Sequence, residues 1–125
     1  MVPEPLPEEV RAFVTACVDS VPHLEALLLI WDTAPRAWSA GEIARRVYLP
    51  EDRSERLLQD LVGHRWIKAA EGGYAFDAGS PDAPMVAHLA EHYRSNLILI
   101  AEMIHRKAPS AVLDFARAFA LRKDR

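Results

Sequence analysis

Two adjacent glycines, Gly72 and Gly73, separate the short β-prone runs Trp66–Ala70 and Tyr74–Asp77, while elsewhere apolar residues recur mainly at helical spacing. Glycine alone reaches positive backbone angles without strain, so Glu71-Gly72-Gly73 between two such runs predicts a tight β-hairpin. The chain is therefore expected to be mostly α, with one two-stranded β element.

Ahead of the hairpin, the spacing predicts four helices. From Pro7, the residues Val10, Phe13, Val14, Cys17 and Val18 form one apolar face. Ser20 and Pro22 mark a second start, and Leu24, Leu27, Leu28 and Trp31 form the stripe of a helix ending near Asp32. Leu29 and Ile30 make that helix apolar nearly all round, which places it centrally. Ala37-Trp38 is a candidate short strand. Ser39-Ala40-Gly41-Glu42 is a capping box opening a short helix with Ile43, Ala44 and Val47 inward, which ends before Pro50. Pro50, Glu51 and Asp52 suit the start of the next helix, which runs to about Gly63 with Leu57, Leu58, Leu61 and Val62 as its stripe.

After the hairpin, Ala78–Pro84 reads as a loop, and a single helix of about 23 residues runs to about Lys107. Its stripe is Met85, Leu89, Tyr93, Ile100, Met103 and Ile104. Pro109-Ser110 interrupts it before a short last helix with Val112, Phe115, Ala116 and Phe119 on one face. Residues 1–6 are expected to be a disordered or extended N-terminus, 7–77 the N-terminal helix and the hairpin-bearing unit, and 78–125 the C-terminal helices of one compact domain.

Length and composition support that single domain. Half of the 125 residues are apolar and 26% are charged, which excludes a disordered chain, and one cysteine excludes an internal disulfide. Apolar runs such as Leu27–Trp31 fall far short of the roughly 20 residues needed to cross a bilayer, so no membrane partner is expected. The acidic, proline-rich start points to a cytoplasmic protein. Charge is unevenly spread: residues 1–35 carry one base against six acids, residues 36–68 seven bases against five acids, and the remainder is balanced. No phosphate loop, Cys-x-x-Cys pair, dinucleotide fingerprint or nucleophile elbow is present, so neither an enzyme nor a cofactor is expected.

Over residues 22–77 the order of elements is that of a winged helix-turn-helix. The segment Arg56–Ile67 resembles the recognition helix and first wing strand of bacterial regulators of the MarR, PadR and arsenic-repressor types. In those families an arginine, two leucines three apart and an apolar wing start fall where Arg56, Leu58, Leu61 and Trp66-Ile67 stand here. The tail Phe115–Lys123 is similar to that of a group of small bacterial proteins with no assigned activity. The regulator resemblance implies a homodimer that binds double-stranded DNA and controls transcription, with the flanking helices building the dimer.

With Leu57, Leu58 and Leu61 inward at about 100° per residue, Asp52, Arg56, Gln59, Asp60 and Gly63 lie on the opposite face and Arg53 at its edge. Arg53 and Arg56 are the expected groove contacts, Gln59 suits adenine, and Arg45, Arg46 and Lys68 suit phosphates. Asp52, Asp60 and the wing-tip Glu71 depart from the DNA-binding pattern, because the phosphate backbone repels them. Those acids leave open an alternative, a winged-helix module that binds a protein partner and not DNA.

Other candidates weigh less. His88-Leu89-Ala90-Glu91-His92 has the H-x-x-E-H pattern of zinc enzymes, but catalytic zinc needs a third protein ligand, and Glu102 lies about 15 Å further along the helix. His88, Glu91 and His92 are thus rejected as a complete metal site. Cys17 reads as a small buried hydrophobe, and Trp31, Trp38 and Trp66 as core packing. Leu97–Ala101 is apolar on every side, which predicts a dimer interface of Tyr93, Leu97, Ile98, Ile100, Ile104, Phe115 and Phe119. The competing arrangement folds the last helix back over this stretch within one subunit.

Overall fold

The computed structural model describes residues 6–106, which are mostly helical with a two-stranded antiparallel sheet. Helices α1 (Glu8–Cys17), α2 (Val21–Asp32), α3 (Ala40–Val47) and α4 (Glu51–Gly63) precede strands β1 (Ile67–Ala70) and β2 (Gly73–Phe76). Helix α5 (Ala83–Tyr93), a 3-10 turn (Arg94–Asn96) and helix α6 over 97–106 follow.

Local chemistry sets the helix ends. Pro7 stands outside α1 as its cap and not as its first residue, with its carbonyl accepting from the Val10 and Arg11 amides at 3.1 and 3.0 Å. Ser20 Oγ accepts from the His23 amide at 3.3 Å to start α2. At α3 both halves of the capping box form: Ser39 Oγ accepts from the Glu42 amide, and Glu42 Oε1 accepts from the Ser39 amide. Helix α4 ends in a Schellman motif, with Arg65 left-handed at φ 64° and the Arg65 and Trp66 amides donating to the carbonyls of Val62 and Leu61.

Two clusters form the core. Ala26, Leu27 and Ile30 of α2 pack with Trp38, Ile43, Leu57, Leu58, Leu61 and Trp66 in one. In the other, Leu24 meets Leu6, Val10, Val14 and Val18 on one side and Leu89, Ile100 and Ile104 on the other. Enclosure on two sides explains why α2 is apolar nearly all round. It also shifts the expected stripe: Ala26 and Ile30 are buried, whereas Leu28 and Trp31 are half-buried. Val62 is likewise half-buried, while Ser54, unpredicted, is buried with its hydroxyl donating to the Ala40 carbonyl at 2.9 Å and pinning α4 to α3. Leu6, assigned from sequence to the extended N-terminus, packs into the second cluster because its neighbour Pro7 launches α1 across it.

The hairpin pairs Ile67 with Phe76 and Ala70 with Gly73, leaving Glu71 and Gly72 as the turn. Gly72 has φ 91°. Gly73, at φ 141°, meets a different demand: Trp38 bridges to Tyr74 through hydrogen bonds of 2.7 and 2.9 Å, and a Cβ on Gly73 would lie 2.0 Å from the Trp38 carbonyl oxygen. The Ala37-Trp38 segment thus adds a single bridge beside β2.

The helix expected over residues 84–107 runs without a gap from Ala83 to residue 106, with a 3-10 turn at Arg94–Asn96 inside it. The buried Asn96 side chain donates to the His92 carbonyl at 3.0 Å at this tightened turn, a local detail that apolar periodicity does not register. The expected last helix, with Phe115, Phe119 and the basic tail, lies outside the described residues. Among the described residues no single helix is long and apolar enough to cross a membrane; α1 and α2 together pass by length and composition but are bent by 115°.

Candidate nucleic-acid interface

Helix α4 is held by Leu57, Leu58 and Leu61, so its opposite face is set by geometry. Asp52, Arg53, Arg56, Gln59, Asp60 and Gly63 are all exposed, as the spacing predicts. Their partners on other elements were not legible in the sequence. Arg56 pairs with Asp52 at 3.5 Å, a solvated i,i+4 contact of small energetic weight. Asp60 Oδ2 accepts from His23 Nε2 at 3.2 Å, and His23 Nδ1 lies 2.6 Å from Ser20 Oγ. One neutral imidazole tautomer satisfies both bonds and ties the start of α2 to α4.

Gln59 has partners on two elements. Its Nε2 donates to Tyr74 Oη at 2.7 Å and to Glu55 Oε1 at 3.1 Å, and Tyr74 Oη donates to the same Glu55 oxygen at 3.3 Å. In the free chain this exposed amide is engaged with both a helix neighbour and the hairpin, and reading adenine would require it to exchange those bonds. The Glu55–Gln59 half was available as an i,i+4 pair; the Tyr74 half depends on how β2 folds back over α4.

The cations differ in how they are held. Arg36 pairs with Glu42 at 3.1 Å and stacks over Trp38 at 3.8 Å, and Arg46 approaches the same ring at 5.5 Å. Arg45 on α3, Arg53 on α4 and Lys68 on β1 are exposed and, among the described residues, make no ion pair. The Ser39 amide and hydroxyl, helped by Arg36, hold the Glu42 carboxyl below the usual glutamate range.

Two clefts adjoin these elements. One of about 330 Å³ lies between the start of α2 and α4, lined by Ser20, His23, Leu49, Arg53, Arg56 and Asp60. At its edge, donor atoms of Asp19, His23 and Asp60 lie within 4.8 Å of one another, the one such three-residue group among the described residues. The other, of about 450 Å³, runs between α2 and α5 past Leu28, Trp31, Tyr93 and Arg94. Trp31 is therefore part of a groove, whereas Trp38 and Trp66 are core residues as expected. Burial, and secondarily the Glu25 charge, push the Tyr93 phenol up.

His88 and His92 stack with ring centroids 4.9 Å apart, and His88 Nε2 is buried without a hydrogen-bond partner. Among the described residues no third donor joins them. Of the expected dimer residues, Leu97 and Ile98 are 48% and 73% exposed. Ile100 and Ile104 are instead 0% and 1% exposed, in one buried cluster with residues of α1, α2 and α5; they belong to this chain's own core and not to an interface. Tyr93 is half-buried against the same cluster, and Phe115 and Phe119 lie outside the described residues.

Comparisons with protein-family models, with curated proteins and with solved structures find no match to this chain.

Proposed function

We propose that this chain is a homodimeric winged helix-turn-helix protein that binds double-stranded DNA and regulates transcription. One observation carries the reading. Three of the acids on the outward side of α4 are engaged by neighbours, Asp52 by Arg56, Glu55 by Gln59 and Tyr74, and Asp60 by His23. Arg45, Arg53 and Lys68 meanwhile carry no ionic partner among the described residues. In this reading α4 enters the major groove, Arg53 and Arg56 face base edges, and Arg45, Arg46 and Lys68 hold phosphates. Exposed Leu97 and Ile98 provide the apolar contact for a second copy.

The acids themselves support a second reading, a winged-helix module whose mixed α4 face binds a protein. Fluorescence anisotropy separates the two. Labelled duplex from upstream of the chain's own gene is titrated against random duplex, from low to physiological salt. Selective binding with a steep salt dependence is the expected outcome, and Arg45→Ala should lower the log–log slope by about one. Absence of binding at low salt overturns the DNA reading and directs attention to co-purifying proteins.

A further inference from the structure

The turn joining α3 to α4 is three residues long, Tyr48, Leu49 and Pro50. Tyr48 occupies the left-handed region at φ 59° and ψ 46°. The backbone has a reason for that conformation: the Tyr48 amide closes onto the Ala44 carbonyl, and the Leu49 amide reaches the same oxygen at 3.1 Å. This C-cap turns the chain from α3 into α4. Any residue placed there must be left-handed, and glycine does it without the clash between Cβ and the carbonyl that an L side chain suffers.

What the backbone does not explain is the tyrosine. Its ring is 91% exposed, the most exposed of the large apolar side chains among the described residues. Among the described residues neither a side-chain hydrogen bond nor a ring contact holds it there. Leu49 beside it, by contrast, turns inward and packs on the core. For folding alone, position 48 combines two unfavourable choices, a Cβ in the left-handed region and an aromatic ring in water. Strain of this kind at an exposed position is characteristic of surfaces that meet a partner.

The position also says which partner surface. Tyr48 follows the exposed Arg45 and Arg46 after the buried Val47 and precedes the exposed Arg53, so it stands within the stretch of cations that the DNA reading assigns to the duplex. A phenol there offers a hydroxyl donor for a phosphate oxygen and a ring face for the adjoining sugar, with no charge to release counterions. We infer that Tyr48 is a DNA-backbone contact, displayed by the left-handed turn between α3 and α4 and hydrogen-bonded to a phosphate through its phenol. This inference rests on the DNA-binding reading above.

Thermal melting and duplex anisotropy of the full chain test it together, on wild type, Tyr48→Gly and Tyr48→Phe. Tyr48→Gly is expected to melt higher, by about 3–6 °C, because the left-handed turn is relaxed. It should nevertheless bind duplex on the order of tenfold more weakly. Tyr48→Phe should leave the melting temperature unchanged and weaken binding about three- to fivefold. Neither should change the salt slope, whereas Arg46→Ala should reduce it by about one. Wild-type binding with both variants equally tight would overturn the role of Tyr48 alone. A lower melting temperature for Tyr48→Gly would also overturn it, by showing that the ring packs within the fold. Failure of wild type itself to bind duplex at low salt would remove both readings at once.

Discussion

Gln59 on α4 and Tyr74 on β2 are joined by a 2.7 Å hydrogen bond from Nε2 to Oη, and both also bond the Glu55 carboxylate. The hairpin is therefore fastened to the outward side of α4 by side chains, not only by the core beneath it. Gln59→Ala and Tyr74→Phe should each lower stability by about 0.5–1.5 kcal/mol in urea unfolding. Because they share one link, the double variant should lose clearly less than the sum. Fully additive losses would show that the link does not persist in solution.

The two turn glycines should respond differently. At Gly73 a methyl group would lie 2.0 Å from the Trp38 carbonyl oxygen, backbone that cannot yield without breaking the Trp38–Tyr74 bridge. Gly73→Ala should cost about 3 kcal/mol or more, in the range of the severest single substitutions. At Gly72 the nearest atom is the Ala37 Cβ at 3.9 Å, so only the backbone angle of 91° resists, and Gly72→Ala should cost about 1 kcal/mol. Equal losses in denaturant melts would contradict the placement of Trp38 beside β2.

Ile98 and Ile100 are two residues apart and oppositely placed. Ile98 is exposed, so Ile98→Asp should leave the melting temperature of the isolated subunit nearly unchanged while shifting the mass in light scattering from dimer to monomer. Ile100 is fully buried beneath α1, and Ile100→Ala should cost about 2–5 kcal/mol. A monomeric wild type at tens of micromolar would refute the proposed dimer and leave the Ile100 prediction standing.

Acid should weaken the start of α3. The Ser39 amide and hydroxyl lower the Glu42 pKa in the folded chain, so the stability this carboxylate adds is fully present above the unfolded glutamate value. It is lost as pH falls through the depressed folded value. Glu42→Gln keeps an acceptor for the Ser39 amide but removes the charge. The gap in melting temperature between wild type and this variant should be open near neutral pH and should narrow as the pH falls below the ordinary glutamate range. A gap independent of pH would exclude the charged cap as its source.

Signals acting over a few residues were legible in the chain. Ser39 with Glu42, the prolines at positions 7, 22 and 50, and the glycine pair of the hairpin each constrain their own neighbourhood, and the helices and strands form where these residues dictate. Apolar spacing likewise identified the outward face of α4, because Leu57, Leu58 and Leu61 can be buried on only one side. The tertiary structure decided what those faces meet. Whether Gln59 is free depends on Tyr74, fifteen positions away, and whether Ile100 is an interface residue depends on α1 at the other end of the chain. The 3-10 turn at Arg94–Asn96, where the Asn96 side chain donates to the His92 carbonyl, is likewise a detail that periodicity cannot register. Periodicity separates an inside from an outside, but packing between distant segments determines which inside, and with which partners, because those energies arise only once the segments are brought together.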